Sequence, residues 1–234
     1  MANLFSPEKV YATTGTFYPD ADPETSTVDG TAYGQTTVNA DFATVRGQAG
    51  THAYDDGSVS LRYLIGADEI QDSINNIWRA FILFNTSSLG GGAVISSAVF
   101  SGYGSENYSD LGEAYHHLAG STPASNTAIV PSDYQQIGRV SFGSISYASF
   151  ATSGYNNITL NANGLANISK TGISKFSMQN SWDINNNFTG TWVQYGNGGG
   201  SMLNSETAGT SQDPKLTVTY TLPSNPKQDV IWFD

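Results

Sequence analysis

Ala80-Phe-Ile-Leu-Phe84, then Asn85-Thr-Ser-Ser88, Gly90-Gly-Gly92 and Ala93-Val-Ile-Ser-Ser-Ala-Val-Phe-Ser-Gly-Tyr103, is the stretch that decides the fold class. Five consecutive apolar residues, Ala80 to Phe84, have the length and composition of a strand with both faces covered. Asn85 to Ser88 offers side chains that bond their own backbone and bend the chain, and the glycine triplet supplies a turn. In the segment that follows, Val94, Ala98 and Phe100 share one parity while Ser97 and Ser101 share the other, predicting an inward apolar face and a polar outer one. The whole reads as a hairpin-like unit of a β-sandwich.

Outward from this unit, strand-like runs are expected near Thr36–Val45, Val59–Ile65, Ile77–Phe84, Ile137–Ile145, Asn157–Leu160, Lys175–Gln179, Thr191–Tyr195 and Leu216–Leu222. Asp29-Gly30, Asp55-Asp-Gly57, both glycine triplets (Gly90–Gly92 and Gly198–Gly200), Thr122-Pro123 and Asn185-Asn-Asn187 read as turns between them. Leu160 to Ile168 has room for one short helix. The expectation is an all-β chain: one antiparallel β-sandwich or jelly roll over residues 16–222, an N-terminal arm over 1–15 and a C-terminal tail over 223–234. The 234 residues suffice to bury a large core without a staple, and no cysteine is present to form one.

Charged residues make up 12% of the chain, about half the usual share, so Ser, Thr, Asn, Gly and Tyr must coat the surface. A net charge of −11 argues against nucleic acid as a partner, because phosphate contacts need clustered Lys and Arg. No apolar run approaches the ~20 residues of a membrane span. Met1 to Glu8 lacks both a basic and an apolar region, so no signal peptide is expected there.

Five groups of residues are candidates for chemistry or assembly. Trp78, Trp182, Trp192, Tyr103, Tyr108, Tyr115 and Tyr195 are aromatic faces on which a pyranose could pack, and Trp182-Asp183-Ile184-Asn185 adds polar groups for its hydroxyls. Trp182, Asp183, Asn185, Trp192 and Tyr108 are therefore the expected glycan-binding set. Asp20, Asp22, Glu24 and Asp29 crowd one loop, and Asp20, Asp22 and Asp29 are the expected ligands of calcium, a cation that takes six to eight oxygens. His116 and His117 are adjacent, so on a strand they would point to opposite faces and could not share one ion. No Gly-x-Ser-x-Gly elbow is present, and Glu106, Asp110 and Glu113 beside the tyrosines read as a solvated loop, so no enzyme is expected. Finally, Val230, Ile231, Trp232 and Phe233 form an apolar C-terminal end that reads as an assembly element, pairing with a second copy or another particle protein.

Three segments together resemble the DNRLRE-type β-sandwich modules, which are linked to carbohydrate-binding modules. Arg79-Ala-Phe-Ile-Leu-Phe-Asn-Thr-Ser-Ser-Leu89 with Val94 to Phe100 is similar to that family's strand, serine turn and second strand. Ile158-Thr-Leu-Asn-Ala-Asn-Gly-Leu-Ala166 is similar to its strand and short helix, and Asn204 to Tyr220 to its closing strand. Thr16 to Gly30 resembles the opening of a variant found in structural proteins of uncultured tailed phages. The arginines that name the motif are absent around Met202–Glu206. The resemblance implies a non-enzymatic decoration protein of a phage capsid or tail, displayed on the virion surface, oligomeric, and attaching to host surface polysaccharide. A secreted or cell-surface carbohydrate-binding or adhesion module is the alternative, and a polysaccharide-cleaving enzyme a second one.

Overall fold

A computed structural model describes residues 11–37, 39–58, 60–206 and 209–223. The chain is all-β, and every strand pairing is antiparallel. The strands are β1 (Ala12–Phe17), β2 (Asp29–Gln35), β3 (His52–Tyr54), β4 (Leu61–Ala67), β5 (Ile74–Asn85), β6 (Val94–Ser109), β7 (His116–Gly120), β8 (Gly143–Ile145), β9 (Tyr155–Thr159), β10 (Ile173–Asn180), β11 (Asn197–Met202) and β12 (Lys215–Thr221). Three short helices, α1 (Phe42–Gly47), α2 (Ala162–Asn167) and α3 (Ser181–Asn185), interrupt them. Pairing runs β1-β12-β6-β11-β4-β5-β10-β7-β8, with β2 on β5, β3 on β2, and β9 on β6.

This path curls over on itself. Phe100, Leu216 and Val218 near one end share a core with Leu118, Phe176 and Met178 near the other. Phe84 meets Phe100 edge to face at 6.3 Å and Phe176 at 6.0 Å. A buried side chain of this size contributes about 1.5–3 kcal/mol, which makes this sandwich-like interior the main source of stability. A second cluster, with Val28, Val45, Ile65, Ile77, Phe81 and Leu83, packs on the other side of β5. Ala80, Ile82 and Phe84 belong to the first core and Phe81 and Leu83 to the second, which is why five apolar residues run together here.

Several expectations change in the structure. β5 and β6 are not paired with each other; they lie in different parts of the curl, and the segment is no hairpin. The β6–β12 register shifts between Thr219 and Tyr220, so the alternation flips. Ile95 consequently packs on the core, while Val94, expected inside, is exposed. Thr36–Val45 is not a strand: Asp41 Oδ1 accepts the Thr44 N–H at 2.8 Å and starts α1, which buries Val45. Of Ile137–Ile145 only Gly143–Ile145 is a strand, and Thr191–Tyr195 is irregular. The second glycine triplet is not a turn but the middle of β11, between β4 and β6. α2 forms where a helix is expected, with Asn161 Oδ1 accepting from the Gly164 N–H. Residues 12–15, assigned to an arm, belong to β1 and pair with β12. Val230, Ile231, Trp232 and Phe233 lie outside the described residues.

Candidate functional site

The expected glycan set does not assemble into one surface. Trp182 is buried in the second core cluster, and its Nε1–H donates to Thr189 Oγ1 at 3.1 Å. Asp183 is buried at the centre of three arginines. Arg79 grips it bidentately, Nε to Oδ2 at 2.7 Å and Nη2 to Oδ1 at 2.8 Å, while Arg46 and Arg139 reach Oδ1 at 3.0 and 3.1 Å. Burial pushes the Asp183 carboxyl up, but Arg79 first, then Arg139 and Arg46, hold it below its ordinary value. These two residues hold the fold and present nothing to a ligand. Asn185 is exposed, and Trp192 is half-buried, its Nε1–H donating to Ser73 O at 3.1 Å. Tyr108 lines a cavity.

That cavity, about 190 Å³, opens on the outer face of β4, β5, β6 and β11 and is lined by Arg62, Leu64, Asn76, Trp78, Tyr108 and Asn197. Cross-strand pairing builds its wall. Tyr33 pairs with His52 on one side and Trp78 on the other, and its ring stacks on theirs at 4.7 and 3.7 Å. The Arg62 guanidinium covers the next position, 5.3 Å from the Trp78 centroid. Trp78 is thus enclosed between Tyr33 and Arg62, so it contributes an edge rather than an open face. Its Nε1–H donates to Asn76 Oδ1 at 2.8 Å, and Asn76 Nδ2 donates to Asn75 Oδ1 at 2.8 Å. Across the cavity, burial raises the Tyr108 phenol to about 12, with the Glu106 carboxylate adding to the shift, so it stays protonated. Arg62 Nε is enclosed with no hydrogen-bond partner, and among the described residues all three ion pairs end on Asp183, none on Arg62. Arg62, Asn76 and Asn197 were missed in the sequence because they stand on three different strands, β4 and β5 consecutive and β11 far along the chain; the alternation Asn76-x-Trp78 was the available signal.

The predicted calcium set also separates. Asp20 Oδ2 accepts the backbone N–H groups of Thr25, Ser26 and Thr27 at 3.1, 2.6 and 3.2 Å and closes its own loop. Asp29 is buried, bonded to Ser205 Oγ at 2.6 Å and Ser205 N at 3.1 Å; burial, then Glu206 and Asp213, raise its carboxyl to about 8. Asp22 instead joins Glu24 and Glu206 in a three-carboxylate group. Glu206, which the sequence did not flag, comes from the β11–β12 loop.

A pH prediction follows from these acids. Burial first, then neighbouring carboxylates, raise Glu24 to about 7 and Asp29 to about 8. The folded state therefore holds protons that the unfolded chain has already lost, and stability falls as pH rises toward the folded values. Burial lowers His116 to about 4 and also lowers His117, which gives the opposite slope below about pH 6.5. In chelator-treated protein, Tm should fall between about pH 7 and pH 8.5, above the ordinary histidine value, where the raised acids lose their protons. A Tm that is flat or rising over that interval contradicts the assignment.

His116 and His117 alternate on β7, as adjacent strand residues must. His116 is fully buried against Tyr63 and Phe150, with neither ring nitrogen bonded. No protein-family model matches the chain, and no curated protein matches it either.

Proposed function

We propose that the chain is a non-enzymatic structural protein of a phage particle that takes a host surface saccharide in the groove between Arg62, Asn76, Trp78, Tyr108 and Asn197. The observation that carries this reading is the groove's mixture of groups. A guanidinium without an ion-pair partner, two amides and a phenol offer directional hydrogen bonds to a hydroxyl-rich ligand, while Leu64 and the tyrosine ring offer apolar surface to its C–H groups. Tyr108 has no ring partner among the described aromatic contacts, so its face is the stacking surface available. The particle assignment rests on the resemblance of Thr16 to Gly30 to the opening of phage structural proteins. A single shallow groove binds weakly, and many copies on one particle supply avidity.

The expected result on a glycan array is weak binding by the isolated chain and strong binding by a multivalent form. Tyr108→Ala should weaken each site about tenfold, ~1.4 kcal/mol, and reduce the multivalent signal by at least that factor. Trp182→Ala, which opens the core rather than the groove, should lower Tm without changing which glycans are bound. A wild-type multivalent form that binds no surface glycan defeats the reading.

A further inference from the structure

The start of β6 and the end of α2 bound another groove, about 430 Å³, lined by Val94, Ile95, Leu165, Ala166, Ile168 and Lys170. All of these but Lys170 are apolar. Val94, turned outward by the register shift between Thr219 and Tyr220, is 64% exposed, and Leu222, just past β12, is 52% exposed. Neighbouring apolar groups left in water around a groove mark a surface that another element covers.

The chain itself supplies a fitting occupant. Val94 is the strand partner of Thr221, so the last residue of β12 stands about 5 Å from the groove wall. Pro223 Cγ lies 3.0 Å from where a Cβ on Gly92 would stand, so the chain leaves the sheet over the Gly90–Gly92 turn, beside the groove. Beyond the described residues the sequence reaches Asp229-Val-Ile-Trp-Phe-Asp234. The stretch from Pro223 to Val230 can span up to about 25 Å, more than enough to turn back over Val94.

The chemistry of the two matches. Val230, Ile231, Trp232 and Phe233 suit the apolar wall, and the acids on either side of them, Asp229 and Asp234, suit Lys170. Among the described residues all three ion pairs end on Asp183, so Lys170 has no carboxylate partner there. A short tether also presents a segment to its own chain at an effective concentration of roughly millimolar, above that of a second copy in dilute solution.

We propose that Val230, Ile231, Trp232 and Phe233 dock in this groove of their own chain, covering Val94 and Leu222 and tying the end of β12 to α2. The surface is separate from the saccharide groove and does not depend on it.

The test follows the Trp232 indole N–H of the whole chain in a nitrogen–proton correlation spectrum, the signal being assigned by its loss in Trp232→Phe. A peptide of residues 224–234 gives the undocked reference. In dilute wild-type protein the signal should stand away from its position in the peptide, and its proton should exchange with solvent at least tenfold more slowly. Ala166 is exposed and belongs to neither core cluster, so Ala166→Arg fills the groove without opening the interior. In that variant the Trp232 signal should return to the peptide's position and rate. Trp78, Trp182 and Trp192, whose indoles are bonded within the fold, should stay in place and show that the variant is folded. A wild-type Trp232 signal that already matches the peptide overturns the proposal, as does one that Ala166→Arg leaves unmoved. A signal that drifts toward the peptide's position on dilution overturns it too, because the groove would then hold the tail of a second copy.

Discussion

Replacing Asp183 by asparagine is expected to cost about 3–5 kcal/mol, the usual consequence of breaking a buried ion pair by removing one partner. The carboxylate is 1% exposed and Arg79 is fully buried beside it. Arg79 keeps a hydrogen bond to Tyr134 O at 2.7 Å and its place 3.8 Å from the Tyr134 ring centroid. Neither contact supplies the negative charge that the bidentate grip does, and Arg46 and Arg139 would lose the same counterion. At about 2–4 °C per kcal/mol for a domain of this size, Tm should fall by about 6–20 °C. The double variant Arg79→Met/Asp183→Leu should recover a good part of that loss, because well-packed apolar residues often match a buried ion pair. If the asparagine variant melts within a degree or two of the wild type, the arginine cage is not what anchors α3 to the sheet.

Gly199→Ala is the second large effect expected. Gly199 sits mid-strand in β11 with φ +130°, and a Cβ there would stand 2.5 Å from Tyr63 O and 2.7 Å from Leu64 Cα, both backbone atoms of β4. Backbone strain at such a φ costs about 1–3 kcal/mol and overpacking about 1–3 kcal/mol more, so a loss of about 2–6 kcal/mol is anticipated. Gly91→Ala is the control: its nearest neighbour is Thr171 Cγ2 at 3.6 Å, so its change should stay within about 0.5 kcal/mol. Denaturant midpoints for the two variants decide the matter; equal midpoints would mean that β11 tolerates side chains at its centre.

The contrast between the two glycine triplets shows where sequence reading succeeds and where it stops. Gly90–Gly92 is a turn, as composition suggests, but Gly198–Gly200 is a central strand, because large side chains from other elements need the space. Trp182 fills the place a Cβ on Gly198 would take, at 2.4 Å, and Tyr63 the space over Gly200, at 3.1 Å. No local pattern encodes that need. Ala80 to Phe84 was legible as a doubly covered strand, and Leu216 to Thr221 as an alternating one, since burial of each face is written in residue order. The partner of a strand is not written locally, so β5 and β6 looked like a hairpin although the curl separates them.

The sites follow the same logic. Trp182-Asp183 had the composition of a sugar-binding patch, but Asn180 Oδ1 caps α3 through the Asp183 N–H and turns both side chains inward toward the arginines and the core. The groove, by contrast, draws Arg62, Asn76, Tyr108 and Asn197 from four strands, and only the sheet order brings them together. Asp22 was named as a metal ligand from its own loop, whereas its partner Glu206 is 184 positions away.

The saccharide groove is tested most directly by the indole N–H signals in a nitrogen–proton correlation spectrum. The chain has four tryptophans, and three of them, Trp78, Trp182 and Trp192, lie in distinct described environments. Titrating in an oligosaccharide identified on the array should move the Trp78 signal, with its hydrogen bond to Asn76 at the cavity wall, and leave Trp182 and Trp192 in place; Tyr108→Ala should abolish the movement. Shifts confined to Trp182 or Trp192, with Trp78 unmoved, would contradict the account.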